Sequence, residues 1–356
     1  MNDQRCHCRP LRAAMRHEVH ASRPDEQRRL IGYELAAVPC ANGIAMEHRL
    51  PSQPRVRTFR RVRWIAFSLS LLFLAVGLAS WLIAGALVAS ANQVVGEAPP
   101  DFPFVAAKIP SDSGSQIATW YTNSPDSVAT VVLVHGIHGN RKKLLKRAKL
   151  LINEGYAVVL IDLQAHGESP GRLITLGHLE RHDVQAAVEF ARQKNPKHRV
   201  GVIGISLGGA SAVLGSPLKV DAMVLESVFP TIEEAVGDRV QAKLGPLSCL
   251  ISPLLLCQIQ PRLGVSADRL RPIEHIGEVA CPLLIASGDR DPHTTIAETR
   301  RLFAAASEPK QLVVFQGARH QDLLEQNPPL YENEVLTFLD QYLLAQPDPV
   351  SSARSE

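Results

Sequence analysis

Val200-Gly201-Val202-Ile203-Gly204-Ile205-Ser206-Leu207-Gly208-Gly209 is the stretch on which the reading of this chain turns. Its first four residues make a short apolar run of the kind found in buried strands. From Leu207, Leu-Gly-Gly-Ala-Ser-Ala-Val-Leu has the small and apolar residues of a close-packed helix. Ser206 therefore falls where a strand turns sharply into a helix. In that setting Gly204 and Gly208 let the backbone fold back on itself and expose a serine hydroxyl at the top of a sheet. Without such flanks, Gly-x-Ser-x-Gly is a glycine-rich turn carrying an incidental serine.

An unaided serine hydroxyl is a weak nucleophile. It needs a base in hydrogen-bond reach, an acid that orients the base, and donors aimed at the oxyanion that forms on the attacked carbonyl. Among thirteen histidines, His320 stands out by position: Gln311 to Phe315 reads as a strand, and Gln316-Gly-Ala-Arg-His320 is a short loop after it. Pro282 to Ala286 is another strand, and Ser287-Gly-Asp-Arg-Asp291-Pro292 turns away from its end, so Asp289 and Asp291 both qualify as the acid. Thr130 to Val134 runs into His135-Gly136-Ile137-His138-Gly139-Asn140. That turn can present the backbone N–H of Ile137 to an oxyanion, as the following helix presents that of Leu207. His135 immediately precedes the turn and is read as a residue that holds the loop, with Gly136 shaping it.

His135-Gly136, Asp162-Leu-Gln-Ala-His-Gly-Glu-Ser169, Gly204-Ile-Ser-Leu-Gly208, Gly288-Asp-Arg-Asp291 and His320 together resemble the α/β-hydrolase superfamily, in particular its serine-aminopeptidase-like and lysophospholipase-like members. The resemblance covers roughly 103–344. It implies an α/β-hydrolase fold, with a mostly parallel central sheet flanked by helices and a small helical lid. It favours Asp291 over Asp289, giving Ser206, Asp291 and His320 in the chain order of this fold. It implies cleavage of a carboxylic ester, on a lipid-like or small acyl substrate, with no metal or organic cofactor. A serine peptidase or aminopeptidase, an acyltransferase and a non-catalytic hydrolase-fold binding protein are the alternatives. The chain departs from the family at Gln164 and Ala165, where an arginine and a glycine usually precede the His-Gly pair. Ser206 also sets it apart from the dehalogenase and epoxide-hydrolase branches, which use an aspartate nucleophile.

The hydrophobic pattern points to the same architecture. The runs Val131–Val134, Ala157–Ile161, Val200–Ile205, Ala222–Leu225, Leu283–Ala286 and Leu312–Phe315 are too continuous for strands with one wet face and suit a parallel sheet covered on both sides. Helical spacing over Arg141–Glu154, His178–Gln193, Thr295–Ala306 and Pro329–Leu344 supplies crossovers. Between Val228 and Arg269 the alternation fails, and the leucine- and proline-rich segment reads as the lid. Its Leu250 and Leu254 are candidate contacts to an acyl group, unless they only pack the lid onto the sheet. Cys249 and Cys257 can approach only if Ser252-Pro253 breaks the segment between them, which leaves a disulfide open.

The second large feature is the uncharged stretch from Trp64 to Gly96. Its apolar part, 64–89, is long enough to cross a bilayer, which takes about 20 residues. Arg55, Arg57, Arg60, Arg61 and Arg63 precede it, so the positive-inside rule predicts a cytoplasmic N-terminus and a catalytic domain on the other side. The competing expectation is a signal sequence cleaved near Ala91, against which stands an apolar region longer than the roughly 7–15 residues usual there. Residues 1–63 read as a basic, disordered arm, possessing no zinc-like spacing at Cys6, Cys8, His17 and His20, and 345–356 as a disordered tail. A translation start at Met46 would shorten the arm. The 356 residues leave one domain of ordinary size, and the net charge of +3 implies no nucleic-acid partner.

Overall fold

The computed structural model describes residues 55–122 and 124–344. Contacts divide the chain into Met1–Phe59 and Arg60–Glu356, and the second unit holds the sheet and every candidate site residue. Eight strands form its sheet: β1 (Phe104–Pro110), β2 (Gln116–Thr122), β3 (Ala129–Val134), β4 (Ala157–Ile161), β5 (Arg199–Ile205), β6 (Ala222–Glu226), β7 (Leu283–Gly288) and β8 (Lys310–Phe315). Their spatial order is β1-β2-β4-β3-β5-β6-β7-β8. β1 and β2 pair antiparallel, as do β2 and β4, and every other pair is parallel. Every residue of β3, β4, β6 and β7 is buried, as the continuous apolar runs require.

An apolar helix, α1 (Arg55–Leu87), precedes the sheet. Arg55 to Arg63, expected in the disordered arm, are thus helical, because nothing between the arginines and the apolar run breaks the turn; residues before Arg55 lie outside the described ones, as do 345–356. Parallel crossovers are made by α2 (Leu145–Asn153), α3 (Glu180–Lys194), α4 (Leu207–Leu214), then α5 (Ile232–Leu244), α6 (Ser248–Leu256) and α7 (Ile259–Leu263) in the insertion after β6, and α8 (Ile296–Ala305). α3 opens on Glu180 and Asp183 and closes on Arg192 and Lys194, matching the charges of its own dipole. A further helical stretch over 328–344 closes the domain.

Thr58–Leu87 has a mean hydropathy of 2.2 and is long enough to cross a membrane. The run 232–263 also passes on length and composition. It is broken at Gly245, which has φ 55°, and α6 folds back to pack on α5. α6 itself continues through Pro253, so Cys249 and Cys257 stand on one helix and both are free. Eight residues of helix separate them by about 12 Å, beyond what a disulfide spans.

Candidate active site

The elbow is built by steric necessity. Ser206 has φ 50° and ψ −113°, and its N–H donates to Glu226 O at 2.8 Å, fixing the turn to β6. A Cβ on Gly204 would lie 2.5 Å from Gly209 Cα, and one on Gly208 2.6 Å from Val134 O, so neither position admits a side chain. Strain of this kind in a non-glycine residue costs about 1–3 kcal/mol and is held in place by its surroundings.

Asp291 and His320 come from the loops after β7 and β8. His320 Nδ1 lies 2.7 Å from Asp291 Oδ2, while Asp291 Oδ1 accepts from the N–H groups of His293 at 2.8 Å and Thr294 at 3.1 Å. Burial alone would raise the Asp291 pKa; the His320 hydrogen bond and charge, helped by the two N–H groups, outweigh it and hold the carboxyl below its usual value. Asp289 instead accepts from Gly317 N–H at 2.6 Å and ties the two loops together. Ser206 and His320 face one mouth of about 510 Å³. Among the described residues no hydrogen bond joins them.

Gly136 brings the loop after β3 to the serine, for a Cβ there would stand 3.5 Å from Ser206 Cβ. The N–H groups of Ile137 and Leu207 have no hydrogen-bond partner among the described residues. His135 has none to spare: Nδ1 bonds Gly136 O at 2.7 Å, and Nε2 accepts from Leu163 N–H at 3.1 Å. Burial, aided by His166 alongside, lowers its pKa to about 3, so it is a neutral loop fastener. Gln164 donates to Leu173 O and Glu180, which makes it a brace for the next loop.

A second cavity, of about 250 Å³, opens from the same serine and shares Ile137, His138, Ser206 and Arg239 with the mouth. Among the described residues its polar lining is His138, Ser206 and Arg239. Leu250 and Leu254 do not line it: Leu250 is 65% exposed, and within the insertion the lining comes mainly from one face of α5, with Leu255 of α6 and Ile259 of α7. The α6 phase that buries Leu255 turns Leu250 outward. Arg239 went unrecognised in the sequence, where one arginine among polar helix residues carries no signal. The same holds for Ala84, Leu87 and Val88, which also line this cavity.

The capping box of α8 adds a pH-sensitive element. Glu298 accepts from Thr295 N–H at 2.8 Å, and burial, then the nearby Asp238 carboxylate, raises its pKa to about 7. A carboxyl raised on folding contributes stability below its ordinary 4.5 and loses it as pH rises to about 7. Thermal melts of Glu298→Gln, whose amide oxygen can keep the cap, are expected to show a flatter pH dependence across that window than the parent. An unchanged slope would contradict this.

The family described as serine aminopeptidase, S33, matches residues 125–270. The chain is 31% identical to the uncharacterised protein Rv2307c of Mycobacterium tuberculosis over 219 residues, covering 60% of this chain and 71% of that one. It is 25% identical over 237 residues to the uncharacterised protein YqkD of Bacillus subtilis, covering 65% and 78%. Lysophosphatidylserine lipase ABHD12 of Macaca fascicularis is 25% identical over 248 residues, covering 65% and 59%. In fold it is similar to an esterase of Pyrococcus furiosus, with a TM-score of 0.60 at 21% identity over 72% of this chain and 98% of that one. The chain belongs to the α/β-hydrolase superfamily, in its serine-aminopeptidase-like branch.

Proposed function

We propose that this protein is a membrane-anchored serine hydrolase that cleaves a carboxylic ester of a lipid-like or small acyl substrate. The observation that carries the reading is the 2.7 Å contact of His320 with buried Asp291 beside a serine held at positive φ. Ser206 Oγ forms a bond to the acyl carbon as His320 takes its proton, and the departing alkoxide leaves with that proton. Asp291 fixes the imidazole tautomer, and the N–H groups of Ile137 and Leu207 receive the oxyanion. Water, deprotonated by His320, then attacks the acyl-enzyme and frees the acid. Support for an acyl group comes from the apolar cavity against Ser206, and for a lysolipid from the name of the ABHD12 relative. In this reading α1 is the anchor, with the basic end cytoplasmic and the catalytic domain on the far side.

Purified full-length protein is expected to react with a fluorophosphonate probe, with labelling abolished in Ser206→Ala. A folded wild-type protein that takes no probe would overturn the proposal. The family description favours one second reading, a serine aminopeptidase. Aminoacyl p-nitroanilides tested beside p-nitrophenyl acyl esters separate the two, and faster anilide cleavage would select the peptidase.

A further inference from the structure

The C-terminal end of α1 is not surrounded by open space. Ser80 and Ala84 are buried on one face of the helix, and Val88 just past its end continues the spacing of four, while Leu78, Leu82 and Ile83 around them are exposed. The buried face meets the insertion. Gln258 Nε2 donates to Ser80 Oγ at 2.7 Å, and Arg262 stacks on the Trp81 ring at 3.7 Å and donates to Trp81 O. Beyond α1 the chain is stitched to the loop after β4. Ile174 N–H donates to Val88 O at 2.9 Å, Ala91 N–H to Ala165 O at 2.7 Å, and Asn92 Nδ2 to Ser169 O at 2.7 Å. The segment that would carry a signal cleavage near Ala91 is therefore a paired part of the domain.

Two consequences meet at the serine. Ala84, Leu87 and Val88 line the apolar cavity that begins at Ser206. With α1 as the anchor, counting about 20 residues from Trp64 places the far edge of the hydrocarbon near Ile83, just before those three residues in the chain. The insertion that grips α1 at Ser80 and Trp81 also presents Leu244, Leu247 and Leu250 to the outside. The exposed face of α1 is apolar as well, with Leu78, Leu82 and Ile83 on it. The mouth shared by Ser206 and His320 is the more polar of the two cavities, with Lys143, Asp322 and Glu325 in its lining.

We propose that the end of α1 is a wall of the acyl pocket, and that the substrate is a single-chain lipid with a polar headgroup. Its chain enters from the bilayer leaflet bordering the catalytic domain, between α1 and the leucines of the insertion. The proposal rests on the hydrolase reading above. One apolar cavity accepts one chain, and the polar mouth holds the headgroup while Ser206 stands between them at the ester.

The test uses full-length protein in phosphatidylcholine nanodiscs and a dodecyl fluorophosphonate carrying a diazirine at its chain end. Ser206 Oγ displaces fluoride from phosphorus, and irradiation then cross-links the chain end to whatever lines the pocket. Adducts are expected on the peptide containing Ala84 to Val88, alone or together with the peptide containing Leu255 and Ile259. Adducts that spare the Ala84 to Val88 peptide overturn the wall. Independently, Ala84→Trp is expected to lower the ratio of kcat/KM for p-nitrophenyl dodecanoate over butyrate by about tenfold or more. An unchanged ratio overturns the proposal. The hydrolase reading fails separately, by absence of labelling at Ser206 in the wild type, and takes the proposal with it; labelling with adducts elsewhere defeats the wall alone.

Discussion

Asp291→Asn is expected to lower kcat by about 10⁴-fold while leaving the protein folded. The reason lies in how the carboxylate is divided. Oδ1 is committed to the N–H groups of His293 and Thr294, so an asparagine at this position keeps its carbonyl oxygen there. Its NH2 group then occupies the place of Oδ2, 2.7 Å from His320 Nδ1, and demands that Nδ1 accept. The neutral ring responds by carrying its proton on Nε2. That nitrogen must be free to take the Ser206 proton, so the substitution inverts the base into a donor. The variant also loses the stability that the depressed Asp291 pKa contributes, which is present above the ordinary carboxyl range and fades as acid protonates the group. Its melting temperature should fall modestly at neutral pH. Asp289→Asn is the comparison, since its side chain faces Gly317 N–H and not the imidazole. It is expected to stay within a few-fold of the parent. Steady-state turnover of a p-nitrophenyl ester measures both, and a loss of less than about tenfold for Asp291→Asn would remove it from the proposed triad.

The parts of the fold that can be read from the sequence are those whose signals are local. β3 to β7 show as continuous apolar runs because both of their faces are covered, while β8, an edge strand with mostly half-buried positions, shows through Leu312–Phe315; all six end within a few residues of those runs. β1 and β2 leave no such mark. They form an antiparallel edge, and β1 mixes exposed with half-buried positions around Lys108 and ends on Pro110, so it lacks the run that marks a central strand. Ser206, Asp291 and His320 can be named because each follows a strand with a glycine in the turn, and turn chemistry is local. The pocket wall cannot. In the leucine-rich α6, nearly every phase is apolar, so no period distinguishes Leu255, which faces inward, from Leu250, which does not. A membrane-span reading likewise treats α1 as uniform. Ser80 and Ala84, small residues at a spacing of four, do not stand out there, because Ala66 with Ser70 and Ala75 with Ala79 repeat the spacing on exposed positions. The disulfide turns on whether Pro253 breaks the helix, and it does not.

Arg147→Met is expected to destabilise the domain by about 3–5 kcal/mol, because it leaves a carboxylate buried without its cation. Arg147 is 1% exposed on α2. Its guanidinium reaches Glu226 Oε2 at 2.6 Å, Asp322 Oδ2 at 2.7 Å and the Tyr331 hydroxyl at 3.1 Å, while Tyr331 donates to Glu226 Oε1 at 2.6 Å. The network joins four separate parts of the chain behind the serine. Glu226 ends β6 and its carbonyl receives Ser206 N–H; Asp322 lies two residues after His320; Tyr331 belongs to the closing helical stretch. Methionine can fill much of the space that arginine occupied, so the loss is electrostatic. For a domain of this size each kcal/mol shifts the melting point by about 2–4 °C, which sets the expected fall at roughly 10 °C. The companion Arg147→Met/Glu226→Leu removes both charges and should recover part of that loss, since a buried pair repays little beyond its own desolvation. Turnover is expected to drop in the single variant as well, through the slackened His320 loop. Differential scanning calorimetry on both proteins decides the matter: a double variant no more stable than Arg147→Met would show that packing, and not the stranded charge of Glu226, is what the arginine supplies.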